Sequence, residues 1–239
     1  MRLSAWLTVF LISSVAAQEA VDFGDARVAL ISDPVRIRYA PGVTPPAPER
    51  VRRAIDIAAA GREWLVSSET PNGAELMREV RGRHQVKLGV SCAAAGCDIR
   101  YLDSADLLYR EKEIAGAKLR GIHKNYNGWV AELAKTLASS LGVPTRTFVG
   151  FARLDDEQAL PLVSDQGRAA YKDFLAGNKP RAFAIGPNGA IGWSAPLPTA
   201  TAVGLRNFDP VGNAIERCQR QSTGACQLYA VDDRVVWSD

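Results

Sequence analysis

Histidine is almost missing from this chain: its 239 residues hold only His84 and His123. That scarcity excludes most zinc sites and most acid–base sets built on imidazole. No Gly-x-Ser-x-Gly elbow, His-Glu-x-x-His pair, phosphate-binding P-loop or dinucleotide fingerprint occurs anywhere in the sequence. Charge of one sign is also lacking. Lys and Arg number 29 against 26 Asp and Glu, a net +3. Nucleic-acid binding usually shows a concentrated basic face, so no nucleic-acid partner is expected. Past the first residues there is no apolar run near the roughly 20 residues a bilayer requires, and no transmembrane segment is expected in the mature chain.

The exception at the N-terminus is short. Arg2 is followed by Leu3 to Val15, rich in Leu, Val, Phe and Ile, and then by Ala16 and Ala17. A positive start, a brief apolar stretch and small residues at the end are the grammar of a cleaved export signal. Residues 1–17 are therefore read as a signal peptide, and the mature protein as periplasmic or secreted.

Cysteine is scarce but patterned: Cys92, Cys97, Cys218 and Cys226 form two close pairs far apart in sequence. In an oxidising compartment an even count reads as disulfides. Four cysteines allow three pairings, and proximity favours Cys92–Cys97 with Cys218–Cys226. The Cys-x4-Cys and Cys-x7-Cys spacings do not match zinc knuckles, so no metal and no cofactor are expected.

Periodicity supplies the elements. Val35 to Tyr39 alternates apolar and charged residues as a half-buried strand, and four prolines between Pro41 and Pro48 make an extended link. A helix is predicted over 49–64. Residues 86–90 and 99–101 alternate around the Cys92–Cys97 loop, predicting a stapled hairpin. Residues 114–122 read as a loop or a short strand. The strongest helix runs to Leu141 with Tyr126, Trp129, Val130, Leu133, Ala134 and Leu137 on one face, capped by Asn125 or Asn127 and stopped by Gly142 and Pro144. Residues 18–34 read as partly loose and 145–164 as irregular. A short helix over 165–175, a hairpin around Pro187-Asn188-Gly189, a helix over 210–221 and a final strand folded back near Asp232 complete the chain. Residues 199–207 read ambiguously.

The expected fold is α+β, with two small subdomains that each pair a short antiparallel sheet with one or two helices. The N-terminal unit is placed at 20–145, a linker at 146–164 and a C-terminal module at 165–239.

Candidate site residues are few. Arg81, Arg83 and His84 make a local basic cluster at the start of a strand. His123 and Lys124 stand just before the strong helix, where free N–H groups attract anions. These five are the candidate binding residues for an anion, and no residue is assigned a catalytic role. Asp103, Asp106, Glu111 and Glu113 are the carboxylates that a catalytic pair would draw on.

Two resemblances follow from motifs. Ile99-Arg-Tyr-Leu-Asp-Ser104, Leu108-Tyr109 and Ile122-His-Lys-Asn-Tyr-Asn-Gly-Trp129 resemble a group of small proteobacterial envelope proteins over about residues 35–141. That group usually lacks the Cys92–Cys97 pair. Pro180 to Ile185, Gly192-Trp193, Ala214 to Cys218 and Cys226 to Trp237 are similar to a C-terminal module of secreted proteobacterial proteins. Neither resemblance implies an activity. The function expected is an exported, non-catalytic protein that binds an envelope protein or an anionic envelope component. The alternatives are a hydrolase of envelope polymer or peptide, which would need a cleft lined by Asp103, Asp106 and His123, and a stress or virulence accessory protein.

Overall fold

The computed structural model describes residues 20–201, 204–205 and 207–237. The expected signal peptide and part of the ambiguous 199–207 stretch lie outside them. The fold is α+β, with three antiparallel sheets.

The first sheet has six strands. Their order is β3 (Leu65–Thr70), β4 (Gly73–Val80), β5 (His84–Ala93), β6 (Gly96–Ala105), β2 (Val35–Tyr39) and β9 (Thr145–Val149). Two helices, α1 (Pro48–Ala60) and α2 (Asn125–Ser140), pack on one face. Period-2 alternation decides which side chains meet them. Val35 and Ile37, Leu76, Val86, Leu88 and Val90, and Ile99 all point inward and are buried against Ile55, Val130, Leu133 and Leu137 of the helices. Burying each such side chain contributes about 1.5–3 kcal/mol. Pro48 begins α1, where its fixed φ and missing N–H cost nothing. That helix ends at Ala60, short of the expected boundary, and Trp64 turns back into the core.

Cys92 and Cys97 face each other directly across β5 and β6 and are bonded. The staple clamps the register of the hairpin at its turn.

Two segments differ from the sequence reading. Residues 145–149, expected to be irregular linker, form the sixth strand, paired with β2 from Val35↔Val149 to Tyr39↔Thr145. Residues 20–31, within the stretch expected to be partly loose, bury Ala20, Val21, Phe23 and Val28 to Ile31, and Val28–Leu30 is strand β1. Together with β7 (Arg110–Ile114) and β8 (Ala117–His123) it makes a second sheet, ordered β1-β8-β7.

The third sheet, β11 (Ile191–Ser194), β10 (Ala182–Ile185), β12 (Gln227–Val231) and β13 (Arg234–Val235), carries a helix on each face. Phe183 and Ile185 pack with Tyr171 and Phe174 of α3 (Asp165–Ala176). Ala182 and Ala184 pack with Val211, Ala214 and Cys218 of α4 (Pro210–Gln219). This two-sided burial explains the unbroken apolar run Ala182-Phe-Ala-Ile185. Gly192 lets the α4 backbone approach β11, because a Cβ there would overlap the Ala214 carbonyl oxygen. The Cys218–Cys226 disulfide ties the end of α4 to the segment leading into β12, with Cα atoms 6.2 Å apart.

The second core does not respect the expected linker. Phe23, Val28, Leu30 and Leu119 belong to the same buried cluster as Ala184, Val211 and Leu228. The N-terminal segment and the C-terminal module therefore share one interior. Among the described residues, no helix is long and apolar enough to cross a membrane.

Candidate anion-binding site

Val80 pairs with His84 at the end of the β4–β5 hairpin, leaving Arg81, Gly82 and Arg83 as its loop. Arg81 and Gly82 both take left-handed backbone, with φ of 59° and 63°. The tight turn leaves Arg81 and Arg83 exposed to solvent. Arg83 reaches Asp106, Nε to Oδ2, at 3.3 Å.

The next contacts bring the two histidines together. His84 Nδ1 lies 2.7 Å from the carbonyl oxygen of Asp106. A carbonyl only accepts, so the Nδ1–H donates, which leaves Nε2 of the neutral ring as a free acceptor. One residue on, the Leu107 carbonyl accepts from the His123 backbone N–H at 2.9 Å. Asp106 and Leu108 both sit at left-handed φ, 56° and 55°. That conformation is unfavourable for a branched residue such as Leu108. Leu108 therefore stores strain beside the point where the histidine segments are tied, whereas Asp106 is of a type that tolerates this region.

The turn between β8 and α2 orients His123. Its Nδ1 accepts from the Asn125 backbone N–H at 3.3 Å. The imidazole thus takes the place of the expected asparagine cap, for neither Asn125 nor Asn127 caps this helix with its side chain. Asn127 instead bridges outward: its Oδ1 accepts from Ser32 N at 2.8 Å, and its Nδ2 donates to Leu30 O at 2.9 Å.

Lys124 N donates to Arg27 O at 2.8 Å, which docks the N-terminal segment beside the histidines. Arg27 in turn grips Asp25 through Nε at 3.1 Å and Nη2 at 2.8 Å. Hydrogen bonds from Arg27, with the charge of Arg110 behind them, hold the Asp25 carboxyl far below the usual carboxylate range. His123 titrates below its ordinary value of 6.5, first because burial disfavours the cation, then because Arg27, His84 and Lys124 add positive charge around it.

The Asp106–Leu107 strap therefore ties the Arg83-His84 and His123-Lys124 segments together, with Arg81 at the tip of the same hairpin loop. Asp25, Arg27 and the Asp106–Leu108 strap complete the site, and sequence reasoning missed their part in it. Three of the four carboxylates considered for acid–base work are engaged in local bonds. Asp103 accepts from the Ser104 N–H at 2.8 Å, Asp106 pairs with Arg83, and Glu111 takes Lys118 and the Tyr109 hydroxyl. Among the described residues, no group of three or more His, Cys, Asp or Glu is placed to hold a metal ion.

A second basic surface lies on the solvent face of the six-stranded sheet. Asp98 is ringed by Arg38 at 2.6 Å, Arg100 at 3.3 Å and Arg36 at 3.5 Å. Its signal in the sequence is the Arg–Ile–Arg alternation of β2, which sets both arginines on the face opposite the core.

Compared with known proteins, the chain matches no family model, no curated protein and no solved structure.

Proposed function

We propose that this protein is an exported, non-catalytic binding protein of the bacterial envelope, whose His84–His123 end takes an anionic group carried by an envelope partner. The observation behind the reading is the shared strap. Both histidines of the chain hang on successive carbonyls, Asp106 and Leu107, with Arg83 on one side and Lys124 on the other. With its Nδ1 accepting from Asn125, the His123 ring presents an Nε2–H donor, and the charges of Lys124 and of Arg83 beside the strap add the positive field that suits a phosphate or carboxylate oxygen. Strained backbone at the same point is a common mark of a working site. Two disulfides and the signal-like residues 1–17 favour an oxidising compartment. The engagement of Asp103, Asp106 and Glu111 in structural bonds favours binding over hydrolysis.

The test is an NMR titration of both imidazoles with glycerol phosphate as the probe, against sodium chloride at equal ionic strength. Saturable shifts of both rings, with the His123 pKa moving up and Arg83→Gln weakening the effect, are expected. Equal shifts in chloride would overturn the reading. Fractionation and N-terminal sequencing check export: a mature chain beginning at Gln18 in the envelope fraction is expected, and an uncut chain in the cytoplasm would refute it.

A further inference from the structure

We propose that the open edge of β9 binds an acidic, extended segment of another protein as an added strand, its residues alternating between acidic and apolar. This surface is separate from the histidine end, and the inference does not rest on that reading.

Strand β9 is the last in its sheet. Which of its backbone groups are free follows from the ladder. Ala40 N donates to Pro144 O at 3.0 Å, and Gly150 N to Pro34 O at 2.9 Å. Both bonds continue the register of β2 and β9, which runs without a shift from Val35↔Val149 to Tyr39↔Thr145. In an antiparallel pair, hydrogen-bonded positions recur at every second residue. Arg146 and Phe148 therefore bond to β2, while Thr145 and Thr147 turn their N–H and C=O outward. At the far end the edge is closed. Gly150 makes a parallel bridge to Val235, and a Cβ at that glycine would overlap the Val235 carbonyl oxygen. The free stretch accepts roughly four or five extended residues.

Exposed edges usually carry protection. Strand β7 is charged at four of its five positions, Arg110-Glu-Lys-Glu-Ile114, and β3 is interrupted by a register shift between Val66 and Ser68. Strand β9 has neither device. It borders a groove of about 670 Å³, floored by Ala131, Lys135 and Ala138 of α2 and walled by Val143, Thr147 and Val149. An open strand edge beside a helix-lined apolar groove is the arrangement that strand addition uses.

Charge selects the occupant. Arg146 lies directly opposite Arg38 in the ladder. Like charges so placed repel, and the nearby Asp98 already serves Arg36, Arg38 and Arg100. Among the described residues Arg146 has no ion-pair partner. An acid on the next strand, opposite Arg146, would supply one. Successive side chains of that strand point to opposite faces. Its acids would lie on the arginine face and its apolar residues in the groove. A second copy of this chain fits badly, because a two-fold axis at Thr147 would set Arg146 diagonal to its own image.

The experiment uses a fluorescein-labelled, end-blocked hexapeptide alternating valine and glutamate, read by anisotropy and by amide hydrogen exchange. Saturable binding is expected, with slowed exchange at Thr145 and Thr147. Arg146→Glu should weaken binding at least about tenfold. Thr147→Pro should do the same while the sheet survives, since that N–H faces away from β2. A peptide of the same sequence N-methylated at alternate residues tests the backbone requirement without altering the protein. Equal binding of the N-methylated peptide, equal binding of a peptide with lysine for glutamate, or protection of Thr147 in a dimer of the protein alone would overturn the proposal.

Discussion

His84 and His123 lie 39 positions apart in the chain and are fixed to adjacent residues of one strap, the first through its ring on Asp106 O and the second through its backbone on Leu107 O. One is held by its side chain and the other by its main chain. Substitution therefore separates them: replacing His84 removes one of the strap's bonds, at Asp106 O, whereas replacing His123 keeps the backbone bond to Leu107 O and alters the α2 cap and the local charge.

His123 should titrate below 6.5, its ordinary value. The folded state then binds fewer protons than the unfolded chain between the two pKa values. Its contribution to stability is complete above the unfolded pKa and is lost as pH falls through the folded one. Thermal melts should show declining stability on acidification below 6.5, and His123→Gln should flatten that part of the profile. An unchanged profile would show that the ring is not held neutral.

Trp129 belongs to the helical face identified from periodicity, yet it sits at the margin of the core with the Arg78 guanidinium 5.2 Å from its ring centre. Trp64 is 2% exposed. Trp129→Ala should cost about 2 kcal/mol and Trp64→Ala roughly 4 kcal/mol, read by urea denaturation. Equal losses would mean that α2 is rotated from its described position.

Reduction should lower the melting temperature. Each disulfide closes a short loop, with sequence separations of 5 and 8, and should contribute roughly 2–3 kcal/mol. The paired replacements Cys92→Ser with Cys97→Ser, and Cys218→Ser with Cys226→Ser, should each reproduce part of that loss. Four titratable thiols in the native protein would contradict both bonds.

Arg181 is a buried cation that closes a helix. Its Nη1 donates to the carbonyls of Phe174 at 2.8 Å and Gly177 at 3.0 Å, and also to that of Leu175, at the end of α3. Arg181→Met should leave these acceptors unpaired and destabilise by about 3 kcal/mol, measured by chemical denaturation. A loss below about 1 kcal/mol would imply that water replaces the guanidinium.

Much of the fold was legible because its signals are local. The apolar stripe of α2, the alternation of β5 and β6 about a cysteine pair and the Asn188-Gly189 turn each lie within about 16 residues. Strand β9 was not legible, since Thr145-Arg-Thr-Phe-Val149 is short and half polar, and its partner lies 106 to 114 positions away. Strand β1 was hidden for a similar reason: its burial depends on a distant β8 and on the C-terminal sheet. At the candidate site, each histidine stood out by its basic neighbours, but nothing local links them. Only the Asp106–Leu108 strap does, and its left-handed backbone has no glycine to announce it.

The shared second core has a consequence for the order in which the molecule can be made. Ala20 N donates to Asp232 Oδ2 across a separation of 212 residues, and Phe23 and Val28 are buried with Val211 and Leu228. Whichever machine delivers the chain from its N-terminus, the first segment out must wait for nearly the last before its apolar side chains are covered. Closing so long a loop is slow. Until then the sides of Phe23, Val28 and Leu119 that the C-terminal module covers are the surface that a holding chaperone would meet, and a chain cut before Pro210 would lack Val211 and Leu228 to cover them.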